Sequence, residues 1–101
     1  MRIVALSNAP KVPLNIEGYK VHSSSTLEVI HLCLQPGQDI PQHANPFDVV
    51  VCMIKGDITL NMDDNKIQLA LFDTVEIGKD MYRGFANYGT GEARLIIMKK
   101  L

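Results

Sequence analysis

Asp57-Ile58-Thr59-Leu60-Asn61-Met62-Asp63-Asp64-Asn65-Lys66-Ile67-Gln68-Leu69-Ala70-Leu71 alternates with a period of two. Ile58, Leu60 and Met62 share one parity, with Thr59 and Asn61 on the other. After Asp63-Asp64-Asn65 the alternation resumes with Ile67, Leu69 and Leu71 against Gln68 and Ala70. Side chains on a strand point to opposite faces in turn, so this stretch predicts a hairpin with one apolar face. Its turn residues are ones that tolerate positive φ. Outward from it the same period persists. Val75 and Ile77 continue it to Gly78, and Arg94–Met98 is a last strand after the turn Tyr88–Glu92. Upstream, Thr26–Leu34 reads as a strand stopped by Pro36-Gly37, and the β-branched run Phe47–Ile54 stops at Gly56. Pro10-Lys11-Val12-Pro13 and Ser23-Ser24-Ser25 predict turns and edge strands over residues 1–25, wrapping a core formed by residues 26–98. No helical stripe of useful length appears. Short strands at about ten-residue spacing predict an all-β sandwich or barrel in a single domain, 1–101.

Composition narrows the function. A chain of 101 residues, 47% apolar, has room for one core and must fill it well. Ten basic and eleven acidic side chains give a net charge of −1, which leaves no basic excess for nucleic acid or an anionic membrane. Apolar runs such as Val49–Ile54 fall far short of the ~20 residues of a membrane span. Ile3–Leu6 is too short for a signal peptide's apolar region, so the expected compartment is the cytoplasm. Cys33 and Cys52 are read as thiols, without metal-ligand spacing or a basic neighbour to activate them. The methionines fall on separate strands as core filler, and Ser23-Ser24-Ser25 beside His22 is a turn rather than a nucleophile.

Two blocks carry a more specific signal. Gly37-Gln38-Asp39-Ile40-Pro41-Gln42-His43-Ala44-Asn45-Pro46-Phe47-Asp48, continuing to Gly56, is similar to the pattern Gly-x5-His-x-His-x3-Glu-x6-Gly. Phe72 to Asn87 is similar to Gly-x5-Pro-x-Gly-x2-His-x3-Asn. These are the two motifs of the cupin family, which the chain resembles over about residues 26–98. The resemblance implies a double-stranded β-helix, the cupin form of the jelly-roll barrel. In metal-binding cupins two histidines and a carboxylate of the first motif join one histidine of the second. Here His43 stands at the first of these positions, but Asn45, Val49 and Arg83 stand at the others. A transition metal wants imidazole, thiolate or carboxylate donors, so no tightly bound metal is expected. A displaced set of His43, Asp48 and His31 is the alternative; Asp48 would need a bulge to turn inward.

Under that resemblance His43, Asn45, Arg83 and Asn87 gather at the barrel mouth, with Val49, Val51, Met53, Met81 and Phe85 as apolar lining. The ligand-binding set is thus His43, Asn45, Arg83, Asn87, Met53 and Phe85. An inward arginine needs a charge or several acceptors. Asp48 or Asp73 could supply them internally, or a ligand carboxylate or phosphate could do so from outside. The expected function is therefore metal-free binding of a small anionic ligand, in a sensing, storage or accessory role. Two alternatives stand beside it: a metal-dependent isomerase or dioxygenase built on the displaced set, and an oligomerisation module with a vestigial pocket. Val50, Cys52 and Ile54 make the second face of their strand apolar too, which predicts a homodimer.

Overall fold

The computed structural model describes all 101 residues. After a 3-10 turn at Leu6–Asn8 come nine strands: β1 (Glu17–Ser23), β2 (Leu27–Leu34), β3 (Asp39–His43), β4 (Asp48–Lys55), β5 (Ile58–Met62), β6 (Asn65–Leu69), β7 (Thr74–Ile77), β8 (Arg83–Ala86) and β9 (Ala93–Lys100). They form two antiparallel sheets, ordered β1-β2-β9-β4-β7 and β3-β8-β5-β6. The fold is all-β. No helix is long and apolar enough to cross a membrane.

Alternation decides which side chains meet between the sheets. On β4, Val49, Val51 and Met53 are buried on the same face as Leu95 and Ile97 of the neighbouring β9, while Asp48 points outward. On β2 both parities are apolar, and the structure turns Ile30, Leu32 and Leu34 inward. The hairpin forms as the alternation requires, with Ile58 opposite Leu69 and Leu60 opposite Ile67. Its second arm is less covered than its pattern suggests: β6 is an edge strand, and Ile67 and Leu71 are exposed. Its turn also departs from expectation. Met62 pairs directly with Asn65, and neither Asp63 nor Asp64 takes a positive φ, so this is not a primed hairpin turn.

Positive φ appears elsewhere, at Gly37, Gly56, Phe72 and Asp80. These are the positions where the two motifs carry glycine. The backbone thus keeps the left-handed turns of the pattern even where the glycine is replaced. At Phe72 this costs about 1–2 kcal/mol, because Cβ crowds the carbonyl oxygen. β3 holds Pro41 inside a strand, which is possible because β3 is an edge strand with a register shift between Ile40 and His43. That irregularity shapes the site.

Candidate functional site

At one end of the sandwich the sheets part around a cavity of about 500 Å³. One wall is β3 and β8, contributing Ile40, Gln42, His43, Arg83 and Phe85; the other is β2 and β9, contributing Glu28, Ile30, Leu32, Ile97 and Lys99. The N-terminal segment closes over it with Val12, Pro13 and Leu14. A volume of this size is in the range of small-molecule sites, and the lining is mostly apolar with a few polar groups.

Arg83 is the centre of the site. Its β8 position pairs directly with His43 of β3. The side chain is buried, at 2% exposure, yet lines the cavity. Nη1 donates to the His43 carbonyl at 3.1 Å, the only side-chain hydrogen bond that Arg83 makes. Nε is buried without a partner. Burial lowers the pKa, but an arginine starts so high that it remains charged at neutral pH. Neither sequence-predicted internal partner reaches it. Asp48 Oδ1 accepts from the Lys79 amide at 2.9 Å, and Asp73 Oδ2 from the Ala70 amide at 2.8 Å. Both carboxylates are taken by backbone amides elsewhere, and the guanidinium makes no ion pair with a carboxylate.

His43 stands exposed at the mouth. Its Nδ1 lies 3.0 Å from the Pro41 carbonyl oxygen. A carbonyl only accepts, so Nδ1 carries the hydrogen, and in the neutral ring Nε2 is left as an acceptor. Asn45 completes this side, together with Gln42, whose Oε1 is buried and unpartnered. Across the cavity Glu28 is shared by two ammonium groups, Lys20 at 3.2 Å and Lys99 at 3.5 Å. Three cations and one carboxylate therefore line the site, a formal +2 with His43 neutral.

Of the sequence-predicted set, the structure brings His43, Asn45, Arg83 and Phe85 together and leaves Asn87 and Met53 out. Asn87 is fully used as a staple: Nδ2 donates to the carbonyls of Leu34 and Gly91, and Oδ1 accepts from the Gly89 amide, each at 2.9 Å. Met53 is packed in the closed core beside Val49 and Val51, and Met81 lies in an exposed turn. The wrapping of residues 1–25 was expected, but not that Val12–Leu14 cover this opening, and the Lys20–Glu28–Lys99 cluster was not singled out from the sequence. Glu28 carried a usable signal, as the one charge on a parity otherwise made of Ile30, Leu32 and Leu34.

The residues do not fit a divalent transition metal. At the four motif positions stand one imidazole, one neutral amide, one buried valine and one guanidinium, and a fixed positive charge opposes a cation. The displaced set does not assemble either. Asp48 lies on the outer face of β4, with Oδ1 on the Lys79 amide. His31 is on the outer face of β2, its Nε2 accepting from Arg94 Nη1 at 3.0 Å. Burial, then the Arg94 charge, lowers the His31 pKa.

A family model described as a cupin domain matches residues 30–99. Among solved structures, a protein from Thermus thermophilus is similar at 20% identity, with a TM-score of 0.82 over 99% of this chain and 97% of that one. An uncharacterized conserved protein with a double-stranded β-helix domain, from Klebsiella pneumoniae, is similar at 19% identity and a TM-score of 0.81, over 99% and 90% of the two chains. A polyketide cyclase from Streptomyces resistomycificus has a TM-score of 0.86 at 12% identity, covering 99% of this chain and 79% of its own. At these identities the likeness is one of fold. No curated protein matches the chain.

Proposed function

The chain belongs to the cupin family, and on that footing we propose that it binds a small anionic molecule in its cavity without the help of a metal. Arg83 holds the anion, His43 and Asn45 bond to the remainder, and the role is sensing, storage or accessory. The observation that carries this reading is a buried guanidinium that faces a cavity and makes no ion pair with a carboxylate. Burying such a group is costly unless an acceptor completes its hydrogen bonds, and an anionic ligand would do so. Elemental analysis of protein purified without chelator, with a thermal-shift screen of small carboxylates and phosphates, tests the reading. Anions should raise the melting temperature of wild type and not of Arg83→Met. Near-stoichiometric iron, manganese, nickel or zinc that is lost in His43→Ala would overturn it in favour of a metal enzyme.

The partner we assign to the outer face of the five-stranded sheet is a second copy of the chain. The rows Val29–Met98–Val50 and His31–Ile96–Cys52 lie in register there, half-buried and mostly apolar. Ile54, on the same parity of β4 and exposed, extends the patch. Five strands about 4.8 Å apart, three of them about 26 Å long and β1 and β7 shorter, present roughly 550 Å². A standard interface takes about 800 Å² per partner, so the face supplies most of what a stable dimer needs. Light scattering at micromolar concentration should give twice the chain mass for wild type and the single mass for Met98→Lys. A monomeric wild type refutes the dimer.

A further inference from the structure

We infer that the ligand is a hydroxy-carboxylate: one carboxylate, a hydroxyl on a nearby carbon, and an apolar body. The inference rests on the anion-binding reading above and adds the chemical class, from the hydrogen-bonding groups that the cavity leaves unfilled.

Of the cavity's formal +2, the part that is fully buried is the single charge of Arg83, which matches a monoanion, while Lys20 and Lys99 are part-exposed. Glu28 already faces both lysines, so the deep uncompensated charge is the single guanidinium of Arg83. A carboxylate cancels it. A phosphate dianion would place a second negative charge against Ile30, Leu32 and Phe85 with no buried cation to meet it. Geometry agrees. Nη1 is engaged by the His43 carbonyl and Nε is buried without a partner, so the edge formed by Nε and Nη2 is the one that lacks an acceptor, and a carboxylate reaches Nε only if the side chain shifts toward the cavity. Two parallel N–H groups on one edge match the two oxygens of a carboxylate.

The hydroxyl follows from the acceptors. His43 donates through Nδ1 to Pro41, so in the neutral ring the exposed Nε2 is free to accept a hydrogen bond from a ligand, which a carboxylate cannot supply. The buried Oε1 of Gln42, on the same strand, is also without a donor. A ligand hydroxyl can donate to Nε2 while its carboxylate accepts from Arg83. His43 and Arg83 are directly opposed on neighbouring strands, which sets their Cβ atoms about 5 Å apart. That adjacency calls for a hydroxyl close to the carboxylate. The apolar side chains on both sheets and the cover of Val12 and Leu14 accommodate the rest.

Calorimetric titration with 3-phenyllactate, 3-phenylpropionate and 2-phenylethyl phosphate tests the class, because the three share a body and differ in the head. For wild type, phenyllactate should bind about tenfold more tightly than phenylpropionate, the size of one hydrogen bond. In His43→Ala the two should bind alike, and in Arg83→Met neither should bind. Circular dichroism confirms that each variant is folded, and Arg83→Lys serves as the second variant, with the charge kept and the paired edge lost. Equal binding of the two carboxylates by wild type, still dependent on Arg83, overturns the hydroxy-acid class and leaves the anion site standing. Tighter binding of the phosphate ester overturns the monocarboxylate choice in the same way. No binding of any probe, or binding indifferent to Arg83, overturns the anion site itself.

Discussion

Arg83→Met in ligand-free protein should make the fold more stable, and the size of the gain follows from what the guanidinium lacks. Wild type buries Arg83 to 2% exposure with Nε unpartnered. A buried donor without an acceptor costs about 1–3 kcal/mol. Methionine has a similar reach, no charge and no donor, and its neighbours Ile40 and Phe85 are apolar. Against this stands the lost hydrogen bond from Nη1 to the His43 carbonyl, worth about 1 kcal/mol near an open mouth. The net expectation is a gain of about 1 kcal/mol, at the low end of replacements of buried charge by apolar side chains. For a domain of this size that raises the melting temperature by about 4–8 °C. It raises the urea midpoint by about 0.5–1 M. Protein refolded from denaturant, and so freed of carried ligand, is the proper sample. With an anionic ligand at a hundredfold its dissociation constant, wild type should gain about 2.7 kcal/mol and overtake the variant. A loss of more than 1 kcal/mol in ligand-free Arg83→Met would show that the guanidinium is already satisfied. An anion would then have nothing left to complete.

Three further substitutions test the frame around the site. Gly84→Ala would set a Cβ 2.5 Å from the Ile40 carbonyl oxygen and 2.8 Å from the Gln42 amide nitrogen, so β3 must shift; a loss of about 1–3 kcal/mol is expected in urea. Asn87→Ala removes the three hydrogen bonds that join β2 to the turn before β9 and should cost about 2–4 kcal/mol. Ligand affinity per folded molecule should not change in it. Glu92 accepts from Lys55 at 2.7 Å, from the Cys33 thiol at 3.0 Å and from Arg94 at 3.1 Å. These bonds, that from Lys55 foremost, hold its carboxyl far below the ordinary value of 4.5. The stabilisation is therefore complete above about pH 4.5 and is lost as the pH falls from there toward the depressed folded value. Melting temperatures from pH 7 to 3 should fall less steeply for Glu92→Gln than for wild type, and equal slopes would refute the assignment. The other end of the same contact is Cys33, whose thiol burial and the Glu92 bond push up to about 11. It should stay unmodified by thiol reagents at neutral pH in the folded protein.

The strands were legible because burial on one face leaves a period-two trace, and Val49, Val51 and Met53 are its clearest instance. Where both parities are apolar the trace carries no direction. Neither sequence nor spacing shows that β2 turns Ile30 inward and His31 outward; that depends on which face of its sheet the second sheet covers. The motif intervals placed His43 and Arg83 correctly as neighbours, since both derive from one register pair. They said nothing of Asn87, whose amide is consumed by carbonyls 53 and 4 residues away in sequence. The cover by Val12–Leu14 was equally hidden, because nothing local to a turn-rich segment indicates which distant opening it closes.

What the chain does with position 83 joins stability to function. An imidazole there would carry a charge only when protonated. A guanidinium supplies the charge permanently, and the protein carries the cost of burying it whether or not a ligand is present. The lysines could not serve instead, because Glu28 holds both of them at the far wall. Selectivity must then come from the direction of the Nε–Nη2 edge, which the His43 carbonyl fixes by taking Nη1. The backbone bond that anchors Arg83 and the ring bond that leaves His43 Nε2 free as an acceptor both originate in the irregular stretch Pro41–His43. A substitution that regularised β3, such as Pro41→Val, would improve pairing with β8 and disturb both groups at once. Its signature would be a more stable protein with weaker anion binding, and a gain in both would mean that the irregularity of β3 plays no part in the site.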